Sequence, residues 1–252
     1  MVERPGLRPD TIQVGPPPSR RRRHKPPVVS SWILKTALAY SGAVWAVFVA
    51  IHLFGNLKVF QGADAFNSYA AWLRTALYPL LPRESLLWAL RIVLLVSLVV
   101  HVWAAATLWL RARSARGPFR ARLHGTRSLA AWLMPATGVA ILLFLVAHVL
   151  DLTLGVAPVA SGSFAPQAGE VVHAYENLVA SFQRPVAAWS YIAMMLLLAL
   201  HIAKGSTLLA SDLGIMGRRW RATFALAGAL LAVAVLLGNA AIPLLVQLGV
   251  LS

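Results

Sequence analysis

The sequence has no cysteine. It therefore carries no disulfide framework and no thiolate metal site, and it cannot tether haem through a CxxCH pair. A Rieske-type cluster would need its two cysteines from another chain. Acids are scarce, eight against 23 Lys and Arg in 252 residues, for a formal net charge of +15. No long apolar run has Asp or Glu at its middle. That weighs against a proton relay, which usually mixes carboxylates with histidine. No cleavable secretory signal is evident: the first apolar run opens near Ser31 after a basic lead, and it is too long for a signal h-region.

What is present is apolar. Hydrophobic residues make up 59% of the chain, and the mean hydropathy is +0.70. This composition belongs to the membrane class. Residues 1–30, rich in Pro, Gly and Arg, read as a disordered basic cytoplasmic tail on the lipid surface. Residues 31–252 then read as one membrane domain. Five apolar runs, at 31–58, 86–110, 129–154, 186–210 and 222–249, are each near the roughly 20 residues that cross a bilayer. Such runs must satisfy their backbone internally, so the expectation is an all-α, five-helix integral membrane bundle.

Basic residues sort the connections. The lead holds eight Lys and Arg through Lys35, the second-to-third connection holds six from Arg111 to Arg127, and the fourth-to-fifth holds Lys204, Arg218, Arg219 and Arg221. In the other two connections Lys58, Arg74, Arg83, Arg91 and Arg184 are balanced by Asp64, Glu84, Asp151, Glu170 and Glu176. The positive-inside rule places the N-terminus in the cytoplasm and the C-terminus outside. Positive charge laid beside apolar runs in this way marks a lipid partner and no nucleic acid.

Four of the runs carry one histidine each: His52, His101, His148 and His201, spaced by 49, 47 and 53 residues. An ionisable side chain in a span is costly and marks a functional site. With the topology above, His52 and His148 lie roughly 10 Å outward of their span centres, and His101 and His201 roughly 5 Å towards the cytoplasm. The two layers are then about 15 Å apart. The chain also repeats itself. Ser41-Gly42 leads to Phe48 and His52 as Thr137-Gly138 leads to Phe144 and His148, and Thr107 and Thr207 follow His101 and His201 at one offset. The first two spans thus resemble the next two, as in a parallel repeat about the membrane normal. The fifth, with Asn239 and Pro243, stands outside the repeat.

Two neutral imidazoles from facing helices are the axial ligands a haem iron needs, so two layers predict two bis-histidine b-type haems. Gly42 and Gly138 fall at the inner-layer depth, where a missing side chain lets a macrocycle approach the backbone; small residues also simply pack helices. Lys204, one turn past His201, is placed to meet an inner-haem propionate or to snorkel as an anchor. A zinc or copper site fits less well, because the layers separate the ligands. Past His52 the chain mixes amide, phenol, indole and charge in Asn56, Asn67, Tyr69, Trp72 and Arg74. These suit a quinone head group meeting haem and aqueous protons, although aromatics there also form interfacial belts.

The stretch from His52 through Gly55-Asn56-Leu57 to Asn67, Tyr69 and Ala70, together with the four histidines, resembles the cytochrome b membrane-anchor subunit of succinate dehydrogenase/fumarate reductase (respiratory complex II). The type is the single-subunit, five-span, dihaem one, and the resemblance spans about residues 30–250. It implies ligation by His52 with His148 and by His101 with His201. It implies a flavoprotein and an iron–sulfur subunit on the cytoplasmic face, docked on the basic loops, and menaquinone as substrate. It implies a multi-pass subunit of a succinate:quinone oxidoreductase in a bacterial plasma membrane, and it allows a higher oligomer of the complex. Some relatives carry a glutamate near the fourth-span histidine, where Ala199 and Leu200 stand here. The rival readings are a cytochrome b561-like dihaem protein and a non-redox membrane protein with structural histidines.

Overall fold

The computed structural model describes residues 28–115, 126–167 and 171–252. The basic lead through residue 27, the connection holding Arg116, Gly117-Pro118, Arg120, Arg122 and His124, and Glu170 lie outside the described residues, as does the Arg127 side chain. Among the described residues the chain is helical, with no β-strand. The helices are α1 (Ser31–Asn56), α2 (Ala63–Thr75), α3 (Ser85–Ala115), α4 (Thr126–His148), α5 (Ala174–Phe182), α6 (Pro185–Asp212) and α7 (Arg218–Gln247). Five segments among the described residues are long and apolar enough to cross a membrane: Ser31–Gln61, Ser85–Ala115, Leu133–Leu154, Pro185–Asp212 and Arg218–Gln247. They coincide with the five apolar runs.

α2 and α5 were not expected. Both are short and amphipathic, and they sit in the two connections that balance base with acid. Neither is long enough to span, so both lie at one end of the bundle, where they pack on each other. A 3-10 turn, Leu57–Gln61, leads out of α1, and Gly62 at φ 96° turns the chain into α2. That backbone angle is open to glycine and strained for other residues.

α4 continues as a π-helical turn, Val149–Leu154, closed by Gly155 at φ 66°. π turns inside α-helices gather at functional sites. This one follows directly on His148 and carries Asp151 into the interior, 2% exposed.

α1 packs between α3 and α6, and α4 packs on α6. α7 lies along α6, where Gly228 gives the Ser206 side chain its space. Close approach at a small residue is the usual way helices associate in lipid. Among the described residues α4 packs chiefly on α6 and little on α1 or α3. The residues buried within the fold form two clusters. One, with Val59, Leu178, Phe182 and Ile242, lies at the α2–α5 end. The other, with Leu53, Met195, Ile202 and Val235, lies where α1, α6 and α7 meet.

Candidate functional site

α1 presents Ser41, Trp45, Phe48 and His52 at steps of four, three and four residues, so all four share one helix face. α4 presents Thr137, Ile141, Phe144 and His148 at the same steps. The two faces build the same structure. Phe48 stacks on His52, ring centres 5.3 Å apart, and Phe144 lies 5.8 Å from His148.

His52 and His148 meet across the gap between α1 and α4. Their ring centres are 6.0 Å apart and their planes are at 86°. Two imidazole nitrogens each about 2 Å from a shared metal put the ring centres about 6 Å apart. The spacing is compatible with a single metal between the two rings, and also with ordinary edge-to-face packing.

His101 on α3 and His201 on α6 lie deeper, each against a hydroxyl of a helix that carries an outer histidine. Ser41 Oγ is 3.2 Å from His101 Nδ1 on the neighbouring α3, and Thr137 Oγ1 is 3.0 Å from His201 Nδ1 on α6. Each hydroxyl also donates to the carbonyl four residues back, Ser41 to Ala37 and Thr137 to Leu133, both at 2.7 Å. Ser41 precedes His52 by eleven residues and Thr137 precedes His148 by eleven. At 1.5 Å per residue the two levels are about 16 Å apart along the bundle.

Gly42 and Gly138 belong to the deeper level. A Cβ at Gly42 would stand 3.3 Å from His101 Cε1, and one at Gly138 3.7 Å from His201 Cε1. These glycines abut the imidazoles themselves and let α1 and α4 close on the histidines of the adjacent helices. Lys204 is exposed.

The donor type fits haem b: imidazole nitrogens from two separate helices, as at His52 and His148, are the axial set of a bis-histidine haem. Trp45 Nε1, on the same face between the two levels, is buried without a hydrogen-bond partner. Buried donors are rarely left unpaired, so an acceptor that the chain does not supply belongs nearby. No group of three or more metal-ligating side chains occurs among the described residues, so the candidate sites are paired histidines.

The connection residues are largely engaged in structure. Asn56 donates to Asn239 Oδ1 on α7 at 3.0 Å. Asn67 accepts from the Tyr175 backbone N–H at 2.9 Å and donates to both Glu176 oxygens, at 3.1 and 3.0 Å, which seats the start of α5 on α2. Tyr69 stacks with Trp72 at 5.9 Å, and a Cβ at Gly55 would lie 2.7 Å from its ring. The glycine of the His52-to-Leu57 stretch thus makes room for Tyr69. Arg74 donates to the Ala70 carbonyl and lies 3.5 Å from Glu84. Burial pulls its pKa below the ordinary arginine value, with Glu84 acting in the opposite sense. A cavity of about 400 Å³ at this end is lined by Ala63, Tyr175, Glu176, Val179 and Gln183. A groove of about 420 Å³ lies between α1 and α3 beside Ser41 and Ser97. None of Asn56, Asn67, Tyr69, Trp72 and Arg74 lines either one.

Sequence reasoning did not single out Tyr191, Asp151, Ser181 or Arg184. Tyr191 Oη lies 3.4 Å from His148 Nδ1 and donates to Asp151 Oδ2 at 3.1 Å. Ser181 donates to the same oxygen at 2.5 Å, and Arg184 Nη2 to Oδ1 at 2.7 Å. The available signal was Asp151 standing three residues past a span histidine. Comparison with known protein families, with curated proteins and with solved structures finds no match.

Proposed function

We propose that the chain is a dihaem b-type membrane cytochrome, the anchor and electron-transfer subunit of a succinate:quinone oxidoreductase. One observation carries the reading. His52 and His148 meet from separate helices with ring centres 6.0 Å apart, and about 16 Å deeper His101 and His201 each lie beside one of those same two helices.

When bound, haem supplies one-electron chemistry, alternating between ferric and ferrous iron. The chain's own residues would do the rest. His52 with His148 would hold one group and His101 with His201 the other. Phe48 and Phe144 pack against the first pair and keep its rings in place. The separation of the two levels along the bundle would set two redox centres in line across the membrane.

The positive-inside rule orients the molecule. The end bearing Arg111, Arg113, Arg218, Arg219 and Arg221 would face the cytoplasm, and the end bearing α2 and α5 would face outward. The N-terminus is then cytoplasmic, the C-terminus outside, and the chain a multi-pass protein of a bacterial plasma membrane. The basic inner end suits an iron–sulfur subunit, itself joined to the flavoprotein that would handle the dicarboxylate. Electrons would pass between that subunit and menaquinone through the inner and then the outer pair.

A dithionite-reduced minus oxidised optical spectrum of the purified protein tests this. The expected result is a b-type α band with two haems per chain. The absence of an α band would overturn the reading. Recovery of the chain with a flavoprotein separates the complex II assignment from a b561-like cytochrome that works without one.

A further inference from the structure

We propose that Ser41 and Thr137 are positioning residues that fix the tautomer of His101 and His201. Each would accept a hydrogen bond from Nδ1–H and so leave Nε2 unprotonated for a metal. The proposal rests on the dihaem reading and adds to it how the deeper ligands are aimed.

A hydroxyl has one proton to give. In both residues the contact to the carbonyl four residues back is 2.7 Å, while the contact to the imidazole is 3.2 Å for Ser41 and 3.0 Å for Thr137. The shorter contact takes the proton, and its length is that of an O–H donor on an oxygen acceptor. The longer one is the length of an N–H donor. The imidazole must therefore donate from Nδ1. In a neutral histidine that leaves the other nitrogen as the acceptor, which is the form that binds metal.

Two further observations support the assignment. Gly42 and Gly138, next in the chain, stand at Cε1 of the same rings. The Ser-Gly and Thr-Gly pairs thus meet the Nδ1–Cε1 side of each imidazole. Ser41 is itself held by the chain it serves, because Ser97 Oγ on α3 donates to the Ser41 carbonyl at 3.1 Å. Partners on the far nitrogen of a ligating histidine fix its orientation and raise its basicity. At the outer level Phe48 stacks on His52, and the hydroxyl near a ring nitrogen is Tyr191 Oη, 3.4 Å from His148 Nδ1.

The test compares Thr137→Val with Thr137→Ser in the purified holoprotein. Valine matches threonine in shape and lacks the hydroxyl. Loss of the acceptor weakens ligand donation and favours ferrous iron. Thr137→Val is expected to keep the fold and to raise the ferrous-to-ferric ratio of one haem about tenfold at fixed potential, a midpoint shift of about 59 mV for one electron. The low-spin EPR signal of that haem should move with it, the other haem should stay unchanged, and Thr137→Ser should restore both. A Thr137→Val protein with wild-type potentials and EPR would overturn the proposal. If that variant does not accumulate, Ser41→Ala asks the same of His101; the Leu38 carbonyl also bonds that ring, so a smaller shift in the same direction is expected, and wild-type potentials and EPR would again overturn the proposal. Nitrogen-15 spectra of histidine-labelled protein, in the ferrous or the haem-free state, give a separate reading. Protonated Nδ1 at His101 and His201 supports the proposal and protonated Nε2 overturns it. Because the haem-free chain also reports, a failure of the haem reading is distinguishable from a failure of this one.

Discussion

Arg184 donates to Asp151 at 2.7 Å, beside the outer histidine pair. The carboxylate is almost fully buried and also accepts from Ser181 and Tyr191. The guanidinium binds the Ser181 and Val159 carbonyls as well. One ion pair thus ties the π turn after α4 to the end of α5 and the start of α6. Removing one partner of a buried pair leaves an uncompensated charge, which costs about 3–5 kcal/mol. Arg184 is one-third exposed, so water offsets part of that loss. Arg184→Ala should lower unfolding stability in detergent by about 2–4 kcal/mol. Asp151→Asn keeps a neutral acceptor for Ser181 and should cost less. A thermal or denaturant melt in which both variants match the wild type would show the pair to be idle.

Tyr191 links that ion pair to His148. Its ring packs edge-on against Phe144 at 4.9 Å and Phe182 at 4.8 Å, and its hydroxyl spans His148 and Asp151. Tyr191→Phe keeps the ring and removes the hydroxyl. A hydrogen bond to a charged group contributes about 1.5–3 kcal/mol; with Ser181 still on Asp151, the expected loss is near the lower end. In an Asp151→Asn background the same change should cost less, since contacting residues couple. A double-mutant cycle on unfolding midpoints measures this, and additive losses would mean that the two groups act independently.

The spans and the meeting of His52 with His148 were legible because both follow from a period. Apolar runs of span length leave the backbone little choice but helix, and an eleven-residue step on two helices repeats at one depth. The pairing of His52 with His148 followed from depth alone. α2 and α5 were not legible. They are short, and their apolar residues, such as Phe66, Leu178 and Phe182, are scattered among polar ones that read equally well as loop. Asn67 looked like a pocket residue because an amide beside a span invites a ligand. Its partners, the Tyr175 N–H and Glu176, lie more than a hundred residues away, and no local pattern reveals them. Asp151 and Arg184 entered the sequence reading only as charges of an outer connection. Their burial depends on a π turn, and hydropathy carries no signal for one.

The α6–α7 contact rests on one missing side chain. A Cβ at Gly228 would fall onto the Ser206 side chain. Overpacking of this kind costs about 1–3 kcal/mol. Gly228→Ala should therefore lower the melting temperature in detergent. Ser206→Gly in the same chain should recover most of the loss, because it reopens the space from the other side. If the double variant is less stable than Gly228→Ala alone, this steric account fails.

The two histidine pairs share no residue, so each should be lost without the other. His101→Ala removes one ligand of the deeper pair and leaves the Ser41 hydroxyl without its imidazole partner. Ser41 keeps its carbonyl acceptor, so no buried donor is orphaned. The outer pair keeps its 6.0 Å ring spacing and the Tyr191–Asp151 support beneath it. His101→Ala and His201→Ala should thus yield protein with half the haem and one shared spectral component missing. His52→Ala and His148→Ala should both remove the complementary component. Pyridine haemochrome stoichiometry, with low-temperature optical spectra, checks all four variants. Loss of all haem from a folded His101→Ala protein would contradict two separate sites, and so would a missing component common to His52→Ala and His201→Ala.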